Sequence, residues 1–136
     1  MIIGHQKQWQ FLKKSVKLRK ISHAYLFSGQ SGLGKKTLAL EFAKLLNCES
    51  PNFSEKPCQI CSTCKGISRI RHPDLLLISP INQVIQISQI RDLIWYFSLR
   101  PYSAPFKVAI IDEAHLMNQE AQNSFLKTLE EPKGNT

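Results

Sequence analysis

The stretch GQSGLGK, from Gly29 to Lys35, decides the fold class of this 136-residue chain. It matches a phosphate-binding loop, in which Gly, four residues, Gly and Lys precede a Ser or Thr. In such a loop the backbone N–H groups surround an anion and the lysine reaches a phosphate. We therefore predict an anion cradle formed by Gly29, Gly32, Gly34 and Lys35.

One position departs from this pattern. Lys36 stands where a hydroxyl is expected to coordinate Mg²⁺. Thr37 has a hydroxyl, but one residue further along a helix it points about 100° away from the required direction. The sequence therefore predicts a nucleotide-binding architecture in which ATP with Mg²⁺ is a doubtful cofactor, and we do not expect ATP hydrolysis.

The segments on either side of the loop have the patterns of a strand and a helix. Ala24 to Ser28 is a short apolar run, typical of a buried strand. From Lys35 to Asn47, Leu38, Phe42 and Leu45 recur at helical spacing. Strand, glycine loop and helix in this order favour a genuine phosphate-binding loop over a chance match.

A second apolar run ends in two acids. Val108 to Ile111 reads as a strand, and Asp112 and Glu113 follow it. In proteins with phosphate-binding loops, an Asp at such a strand end holds Mg²⁺, and a following Glu can activate the attacking water. The alternative is a strand that leaves the core through two solvated acids. Together with the glycine loop, the pattern favours a nucleotide-site ancestry for Asp112 and Glu113.

Composition restricts the class of protein. The length allows one modest domain with a core. Hydrophobic residues make up 43%, and no apolar run is long enough to span a membrane. The N-terminal residues lack the features of a secretion signal. We expect a cytoplasmic protein.

Positive charge is concentrated near the N-terminus. The net charge is +8, no acid precedes Glu41, and residues 1–40 carry eight basic side chains. Residues Gln6 to Arg19 are predicted to form an amphipathic helix with Trp9 and Leu12 on its apolar face. Its basic face could contact DNA phosphates, or it could be simply solvated; both interpretations stay open, and we prefer the second.

Four cysteines form a third motif, with spacings of nine, two and two residues: Cys48, Cys58, Cys61 and Cys64. In a cytoplasmic chain such clustering indicates metal rather than disulfides. Four thiolates complete a tetrahedral zinc site with no position open for chemistry, so the ion would be structural. Free thiols and an iron–sulfur cluster are the alternatives. The usual cluster motif continues to a nearby fourth Cys, whereas Lys65 and Gly66 follow here.

The remaining segments alternate between strand and helix patterns. This alternation predicts an α/β fold with a mainly parallel sheet covered on both faces. The predicted elements are a helix from Cys61 to Ile70, a strand from Leu75 to Ile78, a loop from Pro80 to Gln86, a helix from Ser88 to Arg100 with Ser88 as its cap, and a helix from Asn118 to Leu129.

Taken together, these motifs resemble the N-terminal region of bacterial DNA polymerase III clamp-loader subunits. The resemblance runs from about His23 to Pro132, and the stretch FLKTLEEP from Phe125 is specific to that group. Within the group the chain is most similar to the delta-prime subunit. The HPD run from His72 and the missing Ser or Thr after Lys35 favour delta-prime over the related tau/gamma ATPase subunit.

This resemblance implies a truncated AAA+ domain over residues 1–136, in which a parallel sheet with a phosphate-binding loop is flanked by helices. A small zinc module would be inserted at residues 48–64, held by the four cysteines. It further implies a role in DNA replication. Such subunits contact other clamp-loader subunits and help a sliding clamp close on primed DNA, mostly without hydrolysing ATP themselves. An ATP-hydrolysing subunit of the tau/gamma type is the alternative, and polymerase chemistry itself is not expected.

The family pattern also extends beyond Thr136. The next strand with its polar sensor residue, a Ser-Arg-Cys segment, a helical lid and an oligomerisation domain would all follow. A sheet without its middle strand would expose unpaired apolar edges. We therefore expect a fragment or part of a split gene product, whose edges a partner could pair by adding a strand.

Overall fold

The computed structural model describes residues 6–22, 24–25, 27, 34–100, 102 and 104–130. The chain divides into two compact units, Met1–His72 and Pro73–Thr136. In the described residues, the first unit contains three α-helices and the second contains a two-stranded parallel sheet with two α-helices.

The first unit is built around two packed helices. Its α-helices are α1 (Gln6–Lys17), α2 (Lys35–Asn47) and α3 (Ser62–Ser68), and a short 3₁₀ helix covers Phe53–Glu55. Leu12 of α1 is buried against the apolar side of α2, which contributes Leu38, Phe42 and Leu45. The helical spacing of these residues therefore gave the core of this unit correctly.

The predicted strand from Ala24 to Ser28 lies partly outside the described residues. Of its members, Ala24, Tyr25 and Phe27 are described; they have no strand pairing within the described part of the chain. The rings of Tyr25 and Phe27 pack against the α1–α2 core, and the ring of Tyr25 meets that of Phe42 edge-on at 4.9 Å between centroids.

The second unit contains the parallel pair that the sequence predicted. Its elements are β1 (Leu75–Ile78), α4 (Ile87–Ser98), β2 (Val108–Ile111), a 3₁₀ helix (Ala114–Leu116) and α5 (Gln119–Glu130). Leu75 lies opposite Val108 and Ile78 opposite Ile111, and α4 lies between the strands in sequence, as a parallel crossover requires.

Alternate strand residues line the face that packs against the helices of this unit. On that face, Leu76 pairs with Ala109 and Ile78 with Ile111. Ile90 and Leu93 of α4 and Ala121 of α5 are fully buried against this face, together with Ile85 from the preceding loop.

A buried aspartate anchors the segment that joins α4 to β2. Asp74, just before β1, is 1% exposed, and its carboxylate accepts hydrogen bonds from the backbone N–H groups of Tyr102 (2.7 Å) and Ala104 (2.8 Å). Lys107 is also buried; its ammonium donates to the carbonyl of Tyr96 and lies 4.3 Å from the centroid of that ring. Burial lowers the pKa of Lys107 despite the nearby charge of Asp74, and it raises the pKa of Tyr96.

Several predicted helix limits were wrong by one or two residues, and one predicted cap was wrong. The helix expected over Ser88 to Arg100 begins at Ile87 and ends at Ser98. Gln86 caps it instead of Ser88 in a reciprocal capping box. The side chain of Gln86 accepts the backbone N–H of Gln89, and the side chain of Gln89 accepts the backbone N–H of Gln86. No helix in the described residues is long and apolar enough to cross a membrane.

Candidate metal centre and anion-binding loop

The four predicted cysteines lie together in the first unit. Their sulfur atoms are all within 4.8 Å of one another. Cys48 is the C-cap of α2, Cys58 lies in the following loop, Cys61 is the N-cap of α3 and Cys64 lies in the first turn of that helix. Cys48 and Cys64 are buried, while Cys58 and Cys61 are partly exposed.

Backbone N–H groups point at three of the sulfurs. The Cys48 sulfur accepts from Cys58 (3.4 Å) and Ser50 (3.5 Å), the Cys58 sulfur from Cys61 (3.3 Å), and the Cys61 sulfur from Cys64 (3.3 Å). Because N–H donors favour the charged form of a thiol, this loop is suited to holding thiolates.

The two ends of the cluster differ electrostatically. Hydrogen bonds from the backbone N–H groups of Ile60 and Cys61 lower the pKa of Cys58 from 9.0 to about 7. Burial raises the pKa of Cys64. A bound cation would offset the cost of ionising the buried thiol.

The arrangement fits a tetrahedral ion. With metal–sulfur bonds of about 2.3 Å, tetrahedral thiolates lie about 3.8 Å apart, so the observed cluster needs only a small contraction. The described residues place no histidine or carboxylate in the cluster, so the candidate ligand set is four thiolates. Such a set suits a structural zinc ion and is also the ligand type of iron–sulfur clusters.

A polar ring next to the cluster, with a buried ion pair closed by an exposed glutamine, was missed by the sequence analysis. Glu41 and Lys44 of α2 are 4% and 6% exposed, and their side chains form an ion pair of 2.7 Å. Gln59, which has φ of 70°, completes the ring: it accepts from Lys44 (3.0 Å) and donates to Glu41. Burial alone would raise the pKa of Glu41, but the hydrogen bonds from Lys44 and Gln59 leave it below its usual value.

The described end of the glycine loop is the start of α2, at Gly34. Gly34 is the N-cap of α2 with φ of 77° and ψ of 25°, a left-handed conformation that glycine adopts without strain. It gives α2 no side-chain cap, and the first turn contains no acid. Lys35 is half-buried, whereas Lys36 and Thr37 are exposed. The predicted cradle residues Gly29 and Gly32 lie outside the described residues.

The predicted acids lie where the strands of the second unit end. The Asp112 N–H donates to the carbonyl of Ile78 (2.8 Å), so β1 and β2 finish side by side. Glu113 is left-handed, with φ of 55° and ψ of 50°. Both acids line an open cleft of about 530 Å³, together with Ser79, Pro80, Gln83 and Leu116. Their roles toward nucleotide stay predictions.

Comparison with known proteins shows the family. The model of the family described as DNA polymerase III, delta subunit, matches residues 4–136, and the chain belongs to this family. Relatives carry two kinds of name. The chain is 41% identical over 133 residues to DNA polymerase III subunit tau of Bacillus subtilis and 39% identical over 127 residues to subunit delta' of the same organism. It is 37% identical over 131 residues to subunit tau of Escherichia coli.

These relatives are much longer. The matches cover 96%, 93% and 96% of this chain but 23%, 38% and 20% of the respective relatives. A solved structure, a DNA polymerase III gamma subunit-related protein from Thermotoga maritima, has a similar fold. Its TM-score is 0.67 at 24% identity, and the match covers 94% of this chain and 36% of that one. The likeness shows a shared mixed α/β fold with a small parallel sheet.

Proposed function

We propose that this chain is a delta-prime-like component of the DNA polymerase III clamp loader, one that helps load the sliding clamp on primed DNA without hydrolysing ATP. Membership of the DNA polymerase III delta-subunit family supports the proposal that the chain acts as part of this complex. Both kinds of relative match at similar identity, so the choice between them depends on the chain's own residues. The other clamp-loader subunits would be its direct partners, and the clamp and DNA would be reached through the complex.

The observation that carries the choice is Lys36. It is the second residue of α2 and is exposed, at the position where a Mg²⁺-binding hydroxyl belongs. It adds a second positive charge beside Lys35 and supplies no metal ligand. The positive end of the α2 dipole together with Lys35 would still favour a phosphate, so we propose an anion site that does not use magnesium.

We further propose that residues 1–136 belong to an AAA+ domain with a phosphate-binding loop and that residues 48–64 form its zinc module. The sulfur cluster and its N–H donors support a structural ion held by the four cysteines. Zinc would supply a fixed tetrahedral centre that joins α2 to α3 and would take no part in a reaction.

An ATPase of the tau/gamma type is the second candidate, because Asp112 and Glu113 are both retained at the end of β2. Titration with a fluorescent ATP analogue, with and without Mg²⁺, separates the two proposals. We expect weak binding that Mg²⁺ does not strengthen, and no phosphate release. Tight Mg²⁺-dependent binding with turnover would instead establish the ATPase.

A further inference from the structure

The net positive charge of the chain comes entirely from the first unit. Residues 1–72 carry 13 basic and 3 acidic side chains, a net charge of +10, whereas residues 73–136 carry 5 basic and 7 acidic ones, a net charge of −2. Of the three acids in the first unit, Glu41 is buried against Lys44. The surface of this unit is therefore strongly basic.

Helix α1 presents part of this charge in a single row. Lys7, Lys14 and Lys17 are exposed, and their spacings of seven and three residues place them on one side of the helix. At 1.5 Å per residue the row is about 15 Å long. Phe11 borders the row, four residues after Lys7, and its side chain is 65% exposed. We refer to these four residues as the α1 basic face.

Lys7 of this face and Arg19, which follows the helix, occupy positions where helix geometry and the helix dipole favour other residues. Lys7 lies in the first turn of α1, where the helix dipole favours acids, and that turn contains none. Arg19 has φ of 55° just after the helix, at the left-handed position that glycine fills at least cost. Positions that break local rules in this way are expected at functional surfaces.

The lysines of the face are not neutralised locally. Among the residues that the structure describes, none of Lys7, Lys14 and Lys17 makes an ion pair. No acid precedes Glu41 in the sequence, so α1 has no acidic neighbour three or four residues away. The face is therefore free to attract an extended anion.

We propose that the α1 basic face, extended by Arg19 and Lys20, binds single-stranded nucleic acid. The cations neutralise successive phosphates, and the exposed ring of Phe11 stacks on an unpaired base. Phe11 also borders an open groove of about 360 Å³, which Leu12, Tyr25 and Phe27 line with apolar atoms. This groove gives the base a second apolar surface. The proposal does not depend on the clamp-loader assignment.

Fluorescence anisotropy with labelled oligo(dT) of about 12 nucleotides tests it, because such surfaces cover strands of that size. With five cations engaged, the logarithm of the binding constant should fall against log salt with a slope of about −3.5. In the variant Lys7→Gln/Lys14→Gln/Lys17→Gln the slope should be about −1.4. Phe11→Ala should weaken binding about fivefold and leave the slope unchanged.

The matched control Arg69→Gln/Arg71→Gln/Lys127→Gln removes three exposed charges that lie off α1. It should keep the wild-type slope, as should Lys7→Arg/Lys14→Arg/Lys17→Arg; circular dichroism checks that all variants fold. If the control reduced the salt slope as much as the α1 variant does, net charge alone would attract the strand, and the proposal would be wrong. The proposal would also be wrong if binding of oligo(dT) did not depend on salt. It would be wrong if duplex DNA bound as tightly as oligo(dT) and Phe11→Ala did not weaken that binding. Binding of anionic phospholipid vesicles in place of oligo(dT) would equally overturn it.

Discussion

Gln59 donates a hydrogen bond of 2.8 Å from its side-chain amide to the carboxylate of Glu41. This contact joins the loop between Cys58 and Cys61 to the middle of α2. Because Gly34 is the N-cap of α2 and Cys48 its C-cap, the same helix follows the glycine loop at one end and meets the cysteine cluster at the other. A change in the cysteine cluster should therefore alter the stability of α2.

Replacing Glu41 should destabilise the protein strongly. Glu41→Ala leaves Lys44 buried without its carboxylate, which typically costs about 3 kcal/mol or more of unfolding free energy. The double variant Glu41→Leu/Lys44→Leu should recover most of this loss, since no buried charge is left unpaired. Urea denaturation measures both, and Glu120→Gln, an exposed site on α5, should change stability by less than about 0.5 kcal/mol.

The same carboxylate should make stability sensitive to acid. The pKa of Glu41 in the folded protein is below the ordinary 4.5. Its contribution is therefore complete above that ordinary value and is lost as the pH falls through the lowered pKa. Below the ordinary pKa of Glu41, the free energy of unfolding should fall less steeply with decreasing pH in Glu41→Ala than in the wild type. An unchanged acid profile would contradict the hydrogen-bonded ring.

The metal content should be one ion per chain, bound by four thiolates. Purified protein should be colourless with one equivalent of zinc by elemental analysis; a brown protein containing iron and sulfide would establish the cluster alternative. Cys61→Ser should lose the ion, whereas Ile60→Ala, at a residue 75% exposed in the same loop, should keep it. Affinity should fall as the pH is lowered through about 7, where Cys58 takes up its proton.

Restoring the missing hydroxyl should restore sensitivity to magnesium. In Lys36→Thr, Mg²⁺ should strengthen ATP binding about tenfold, which corresponds to about 1.4 kcal/mol. Lys36→Met removes the charge without adding a ligand and serves as the control. If Lys36→Met gains the same response, or the wild type already has it, then the hydroxyl is not what decides nucleotide chemistry here.

Arg19→Gly should stabilise the first unit. The left-handed conformation at φ of 55° costs a non-glycine residue about 1 kcal/mol, which glycine avoids. Thermal unfolding should shift upward accordingly. Leu18→Gly, one residue earlier at an ordinary backbone conformation, should lower stability instead. A loss of stability in Arg19→Gly would mean that its side chain contributes more than the strain costs.

Asp74→Ala should loosen the segment before β2. The substitution removes the acceptor of the Tyr102 and Ala104 N–H groups and leaves the buried charge of Lys107 without its nearby carboxylate. We expect a loss of about 3 kcal/mol. Hydrogen exchange should accelerate at both amides, whereas Asp92→Ala on the exposed side of α4 should leave them protected.

Local patterns in the sequence predicted the regular elements well. The limits of β1, β2 and α2 were correct, because short apolar runs and helical spacing describe burial within one element. The clustering of the cysteines was also predicted, since their spacing brings them into one short loop. What followed from periodicity or spacing was therefore available without coordinates.

Contacts between distant side chains were not predictable in this way. Gln59, which has a left-handed backbone, reaches Glu41, and no local pattern in the sequence predicts this contact. Asp74 holds an amide 28 residues away, at Tyr102. The cap at Gln86 depends on a reciprocal bond with Gln89 that competes with the more familiar serine cap.

The sulfur of Cys61 has a further consequence for how this region forms. Helix α3 has seven residues, too few to persist alone in water. Its first turn is tied to that sulfur, which is itself a candidate ligand, so capture of an ion and nucleation of the helix would be one event. The apolar pairing of α1 with α2 needs no ion. Assembly of the first unit should then proceed in two stages, with the cysteine loop ordering last and only where the ion is supplied.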